Sequence, residues 1–302
     1  MSPSAKGRED TSKGIELFAP AKINLDLRIL GRRSDGFHEL STRMAPISLG
    51  DRLRIASHPG PEISFRCDDP RLPAGEDNLV CRAVRLFADS FGLLRGLTIS
   101  LEKRLPSGAG LGGGSSDAAA ALLALRSHLG YPSSRDDLLP LASTLGSDVP
   151  FFLVQKPALC RGRGEIVSPE PWLGPRHGLL LFPGFPVPTP WAYQAYARTP
   201  RPGEERGTPP WGPVRNDLEP VVFEKYLWLA IARNWLQEQA GAKLAMMSGS
   251  GSSVFGLWES LPGPELARRA RLFFGPEAWI RTFSILSDEA SQDLPDLPAP
   301  TG

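Results

Sequence analysis

The chain has 302 residues, enough for one large or two ordinary domains, and its 41% hydrophobic and 22% charged content is that of a globular protein with a sizeable core. A formal net charge of +1 gives no electrostatic case for nucleic acid or an anionic membrane surface. No apolar run approaches the ~20 residues of a membrane span, and the three cysteines, Cys67, Cys81 and Cys160, form no CxxC pair and suggest neither a disulfide framework nor a zinc site.

Residues 1–13 are polar, mixed in charge and lack the apolar core of a signal peptide, so they read as a disordered lead-in to a cytoplasmic protein. From Ile23 to Ile29 the odd positions are apolar and the even ones polar, which predicts a half-buried strand with Lys22 and Asn24 on its polar face. Residues 31–36 form a polar turn, and Phe37-His38-Glu39-Leu40 resumes an ordered segment. Residues 51–55 and 62–66 read as a short strand pair, 78–91 as an amphipathic helix and 97–101 as a strand.

That strand delivers the chain into a glycine loop. Five of the seven residues from Gly108 to Gly114 are glycine, so the backbone is free to take φ > 0 and to approach a ligand closely. Ser115-Ser116-Asp117 are good helix-capping types, and the alanine- and leucine-rich run from Ala118 to Leu125 predicts a helix. A glycine loop feeding a helix N-terminus offers N–H groups and the positive end of a dipole to phosphate. The loop is not a P-loop, since no Gly-Lys-Ser/Thr closes it, nor a convincing dinucleotide fingerprint. Any lysine for the phosphates must come from elsewhere.

Gly130-Tyr131-Pro132 breaks the chain, and a helix from Ser134 or Asp136 runs to about Leu145. In Gly146-Ser147-Asp148-Val149-Pro150-Phe151-Phe152, Asp148 reads on spacing alone as a turn or helix-capping aspartate. Residues 158–167 look like a short strand interrupted by the glycines of Arg161-Gly162-Arg163-Gly164-Glu165. Proline and glycine gather at 168–176, which puts a boundary there and gives domains at 14–170 and 171–288. The second begins with a strand at 178–182 and a rigid connection through Pro190. Residues 199–213 read as a mobile loop, and Asn216-Asp217-Leu218-Glu219-Pro220 starts a helix. A further helix over 224–240 stops at Gly241. Strands at 243–247 and 254–258 flank the small-residue turn Ser248–Ser253, wide enough to admit a ligand to the backbone. A helix at 263–274, a strand at 278–285 and an acidic, Pro-rich tail at 289–302 complete the chain.

Pro20-Ala21-Lys22-Ile23-Asn24-Leu25, the 106–117 loop and Ser248–Ser253, in this order, resemble the GHMP kinase superfamily. Arg33-Ser34-Asp35-Gly36-Phe37-His38-Glu39-Leu40, Gly146–Phe152 and Asn216–Pro220 narrow the resemblance to the branch whose acceptor is a cytidyl-diphospho sugar alcohol. The resemblance implies an α+β, two-domain fold, with an N-terminal domain like the second domain of ribosomal protein S5, a ferredoxin-like C-terminal domain and the site in the cleft between them. It implies ATP-dependent phosphorylation of the acceptor hydroxyl, with Mg²⁺, by a monomer or weak homodimer. Lys22 and Asp148 match the catalytic lysine and aspartate. The triphosphate would lie on Pro106, Ser107, Gly108, Ala109, Gly110, Leu111, Gly112, Gly113, Gly114, Ser115 and Ser116, with the two serines candidate Mg²⁺ ligands. Asn24, Phe37, His38, Thr189 and Tyr193 match substrate-binding positions, Phe37 and Tyr193 sandwiching the cytosine and His38 bonding its edge. Phe37 stands where the branch often has tyrosine, which keeps stacking but loses a hydroxyl. The alternatives are a mevalonate- or homoserine-type kinase, which has no base to stack, and a nucleotide sensor, which needs no catalytic pair.

Overall fold

The computed structural model describes residues 14–92, 95–129, 134–207 and 211–286. The break expected at 130–132 and both expected tails lie outside them. Two long strands frame the molecule. β1 (Ile15–Arg32) runs antiparallel to β2 (His38–His58) along nearly its whole length. β2 thereby absorbs residues 38–40 of the expected segment, leaving Phe37 just before it, together with residues 51–55.

β3 (Ile63–Cys67) does not pair with 51–55 as expected but lies parallel to β4 (Gly96–Glu102). The reason is occupancy: Arg52–Ile55 already has β1 on one edge and β4 on the other. β5 (Ala158–Gly162) pairs with the first part of β2, and β6 (Ile166–Pro169) closes a six-stranded sheet. One face is covered by α1 (Leu79–Phe91), α2 (Gly113–His128), α3 (Leu139–Leu145) and α4 (Val149–Val154). Asn78 caps α1, its side chain accepting the Val80 N–H at 2.9 Å. α2 is buried almost all round, and its four successive alanines let the sheet and its neighbour helices approach closely.

The second sheet, order β10-β7-β9-β8, is antiparallel, from β7 (His177–Phe182), β8 (Leu244–Met247), β9 (Val254–Trp258) and β10 (Trp279–Ser284). Helices α5 (Thr189–Arg198), α6 (Glu219–Lys225), α7 (Leu227–Asn234) and α8 (Pro264–Phe274) cover its outer face. The helix expected over 224–240 breaks at Tyr226, whose ring packs against Phe185 and Trp191, and ends in a π turn at Trp235–Gln239. The loop read as mobile is tied down. Gly203 N–H donates to Asp217 at 2.9 Å, Arg206 and Val214 exchange backbone bonds, and Arg206 reaches buried Glu219 at 2.7 Å; residues 208–210 lie outside the described set.

The inner faces of the two sheets share one apolar core, where Ile23, Leu25 and Ile47 meet Leu180, Phe255 and Phe283. Between Pro20 and Lys22 the register of β1 on β2 shifts, and the odd positions of β1 change cores. Leu17 and Ala19 pack with the helices; Ala21, Ile23 and Leu25 pack between the sheets. The bulge so turns Lys22 and Asn24 away from the inter-sheet core. No helix among the described residues is long and apolar enough to cross a membrane.

Candidate active site

Lys22 and Asn24 sit between two register shifts of β1, and they are buried rather than half-solvated as the alternation suggested. The glycine loop and the Ser248–Ser253 turn cover that stretch of the strand. Lys22 Nζ donates to Asn24 Oδ1 at 2.7 Å and to the Gly110 carbonyl at 3.0 Å, and lies 3.8 Å from Asp148 Oδ2. Asn24 Nδ2 donates to Thr42 Oγ1 at 2.9 Å, and Thr42 Oγ1 donates to the Asp26 carbonyl at 2.6 Å, which turns the Asn24 oxygen toward the lysine. Burial pulls the Lys22 pKa below the ordinary lysine value, and the Asp148 carboxylate opposes that shift.

In the glycine loop Gly108, Gly110 and Gly112 have φ of +71°, +76° and +71°. α2 begins at Gly113, not after a Ser-Ser-Asp cap: Gly112 takes the left-handed cap position with no side-chain bond, and its carbonyl accepts the Ser116 N–H. The serines therefore lie inside the first turn and Asp117 just past it, and the first N–H groups of the helix have no side-chain cap. The Ser248–Ser253 turn packs directly on this loop. Ser253 N–H donates to the Ala109 carbonyl at 3.0 Å and Ser248 Oγ to the Gly110 carbonyl at 3.1 Å. Of this turn, only Gly249 and Ser250 line the larger cavity.

A Cβ on Gly110 would lie 2.7 Å from two carbonyl oxygens of that turn, at a φ that L side chains rarely adopt. Gly110→Ala should shift the loop and with it the Lys22 contact, lowering kcat/KM on the order of 10²-fold. Steady-state kinetics with circular dichroism to check folding would measure it; unchanged kinetics would contradict the contact.

Three charged residues flank the loop; the sequence reading singled out neither Asp51 nor Lys103 and took Asp117 only as a helix-capping type. Asp51, fully buried, accepts the N–H groups of Arg104 at 2.6 Å and Leu105 at 2.9 Å, and also pairs with Lys103 Nζ. Lys103 Nζ donates to Asp117 Oδ2 at 2.7 Å. Burial, then Asp51, pushes the Asp117 pKa up to about 7. This ion cluster pins the start of the loop to the N-terminal part of α2 at Asp117. Lys103 and the loop line a cavity of about 280 Å³.

Asp148 precedes α4 but makes no cap bond to it, so the capping role suggested by spacing is not its role here. It faces a second cavity of about 900 Å³ lined by β1, β2, the glycine loop, α5 and the turn between β8 and β9. Asn24, Phe37, His38, Thr189 and Tyr193 all line it. At its far end His38 stacks on Tyr193, centroids 5.2 Å apart, while Phe37 is 52% exposed with Arg163 over its ring. The ring against Tyr193 is thus His38, not an open slot facing Phe37. Burial and Arg32 lower the His38 pKa, keeping the ring neutral near pH 7. Thr189 Oγ1 bonds Ser250 Oγ at 2.8 Å, joining α5 to the small-residue turn.

The Asn216–Glu219 segment, read as a helix start and as part of a family motif but given no role, is the strap between the two halves. Asn216, fully buried, donates to the carbonyls of Met247 and Gly249 at 2.8 Å each. Glu219 accepts the Met247 N–H, and Asp217 accepts the Ile29 N–H of β1, both at 2.8 Å. One short segment so sets the small-residue turn against the strand that carries Lys22. The described residues hold no group of three or more His, Cys, Asp or Glu placed for a metal ion.

Residues 78–156 match the family model of the GHMP kinases N terminal domain and residues 211–276 that of the GHMP kinases C terminal. The chain is 49% identical over 288 residues to the 4-diphosphocytidyl-2-C-methyl-D-erythritol kinase of Methylacidiphilum infernorum, covering 91% of this chain and 98% of the relative. The chain belongs to this family of GHMP kinases. A crystal structure of 4-(cytidine 5'-diphospho)-2C-methyl-D-erythritol kinase, 40% identical, superposes with a TM-score of 0.71 over 89% of this chain and 99% of that one. Homoserine kinase from Cytophaga hutchinsonii, 19% identical, reaches 0.68 over 94% and 98%, a likeness of fold. The two-domain α+β expectation agrees with the family and the two sheets.

Proposed function

We propose that this chain transfers the γ-phosphoryl group of ATP to the 2-hydroxyl of 4-diphosphocytidyl-2-C-methyl-D-erythritol, in the non-mevalonate route to isoprenoid precursors. The observation that carries the reading is the Lys22–Asp148 pair, 3.8 Å apart, between a glycine loop and a cavity that ends in His38 and Tyr193. Phosphoryl transfer asks the protein mainly for positioning and charge stabilisation. Asp148 accepts the proton of the acceptor hydroxyl. The Lys22 cation, 3.8 Å away, orients Asp148 and steadies charge on the moving group. Backbone N–H groups of residues 107–115, across the loop and the first turn of α2, hold the triphosphate. Mg²⁺ bound with the triphosphate would offset its charge, with phosphate and water supplying most of its ligands. Ser115 and Ser116 are the oxygen ligands this chain offers it, and Ser116 Oγ is buried without a hydrogen-bond partner.

Asn24, His38, Thr189 and Tyr193 hold the acceptor, the aromatic pair taking the cytosine by stacking and edge contacts. Three free cysteines accord with a reducing cytoplasm. The pH profile follows from Lys22. Its cation is required and its pKa is lowered, so kcat should fall on the alkaline side with a midpoint below the ordinary ~10.4 of lysine. Lys22→Arg should move that limb out of range, since guanidinium stays charged; an unmoved limb would assign it to another group. A coupled ADP-release assay with ATP and Mg²⁺ tests the acceptor, offering the cytidyl substrate, mevalonate and homoserine in parallel. Turnover with the cytidyl substrate alone is expected. Turnover with mevalonate or homoserine instead would sink the reading, and ATP binding without turnover would favour a sensor.

A further inference from the structure

Thr42 sits within β2, paired with Leu27 of β1 on one edge and with Cys160 of β5 on the other. It is buried, and its branched side chain is stiff at χ1, so its hydroxyl is held in place. A threonine hydroxyl has one proton to give. Here that proton goes to the Asp26 carbonyl at 2.6 Å, a group that can only accept. Toward Asn24 the Thr42 oxygen is therefore an acceptor alone, and only the amide nitrogen of Asn24 can meet it, at 2.9 Å. The amide oxygen is left for Lys22 Nζ, at 2.7 Å. The Gly110 carbonyl, 3.0 Å from Lys22 Nζ, is an obligate acceptor too. Among the described residues the hydrogen bonds of Lys22 Nζ thus go to acceptors, which suits an ammonium. An Asn24 amide turned over would set its NH₂ against that ammonium, donor against donor in a buried site.

We propose that Thr42 is a positioning residue for the phosphoryl transfer: its hydroxyl fixes the Asn24 amide with the oxygen toward Lys22, and this keeps Lys22 a cation in a buried site. The role rests on the reaction proposed above. Burial works against the Lys22 charge, so something must oppose it. Asp148, just before α4, is the carboxylate that does so, but at 3.8 Å it stands beyond hydrogen-bond length. Cys160 of β5 is pushed up to about 12 by burial, then by Asp148, and stays a neutral thiol. Tyr193 of α5, near the same carboxylate, is pushed up by burial as well and stays neutral. The glycine loop brings the Gly110 carbonyl, and the turn between β8 and β9 brings Gly249, which carries no charge. The direct bonds to the ammonium are then those of Gly110 and Asn24. The Gly110 carbonyl is part of the backbone and cannot exchange acceptor for donor. The Asn24 amide can, and the Thr42 hydroxyl prevents it.

The test is a pH titration of Lys22 by NMR of protein carrying ¹³C-labelled lysine, with Lys22→Arg identifying the signal, beside steady-state kinetics on the cytidyl acceptor. It compares the wild type, Thr42→Val and Thr42→Ser. Valine keeps the branched shape and loses the hydroxyl; serine keeps the hydroxyl and loses the methyl. Thr42→Val should lower the Lys22 midpoint by about one pH unit, a tenfold weaker hold on its proton. The alkaline limb of kcat should move down with it, kcat on the plateau should fall about tenfold, and the KM for ATP should stay within about twofold. Thr42→Ser should restore the midpoint and the rate. If valine disturbs the fold by circular dichroism, Thr42→Ala set against Thr42→Ser makes the same comparison. An unmoved Lys22 midpoint on loss of the hydroxyl would overturn the proposal whatever the rate does. So would a serine variant that behaves like valine, since packing of the methyl would then be the cause. A midpoint that moves as expected in a protein that does not turn over the cytidyl acceptor would sustain the placement of the Asn24 amide and overturn the acceptor reading instead.

Discussion

Asp148→Asn should lower kcat by about 10²- to 10⁴-fold, the range for loss of a positioned general base, while leaving the affinities for ATP and CDP near those of the wild type. The substitution is nearly isosteric. Asp148 makes no cap bond to α4 and its side chain is 31% exposed, so the fold loses little. What changes is the ability to take a proton. Lys22→Met should cost at least as much, since it removes the cation and strands two acceptors, Asn24 Oδ1 and the Gly110 carbonyl, in a buried site. The pair acts as a unit, so the double variant should be hardly slower than the worse single one. Single-turnover kinetics beside calorimetric ATP and CDP titration read all three quantities. A fully active Asp148→Asn would remove the general base and leave positioning as the whole of catalysis.

Lys103→Met should be the most destabilising single change near the site, by about 3–5 kcal/mol, because it leaves Asp51 and Asp117 buried side by side with no cation between them. Asp51 keeps the Arg104 and Leu105 N–H groups, so the loss falls on the charge balance rather than on the backbone. The sign of the pH dependence follows. Asp117 already has a folded pKa near 7, above the ~3.9 of an unfolded aspartate. A raised acid makes the folded state hold its proton longer. Its contribution to stability is therefore best below about pH 4 and is lost as pH climbs from there toward 7. Without Lys103 that loss should deepen, so the variant should approach the wild type again on acidification. Urea unfolding at several pH values measures this. A deficit constant with pH would mean that lost packing, not charge, is the cause.

Lys22 and Asp148, which the structure sets 3.8 Å apart, were marked as a pair only by the family resemblance of their short motifs, since spacing alone read Asp148 as a turn or capping aspartate. The glycine loop was legible from its composition, though the helix start was not: nothing in the residue types told that Gly112 would take the cap and leave Ser115-Ser116-Asp117 inside. The Asp51–Lys103–Asp117 cluster was invisible because its members lie on β2, just past the end of β4 and on α2, brought together only by the fold. The pairing of β3 failed for a related reason. A local pattern reports that a segment is extended, not which edges its neighbour has free. Asn216 shows the same limit from the other side. Its motif marked it, but only the fold reveals that its amide spans Met247 and Gly249.

The central claim is phosphoryl transfer to a cytidyl-diphospho acceptor in the cleft between Lys22, Asp148 and the aromatic end. Phosphorus NMR of a reaction containing the purified chain, ATP, Mg²⁺ and 4-diphosphocytidyl-2-C-methyl-D-erythritol tests it most directly. The account predicts one new phosphomonoester signal, growing in step with ADP and absent with Asp148→Asn. ADP growing beside free phosphate, with no phosphomonoester formed on the cytidyl acceptor, would contradict it.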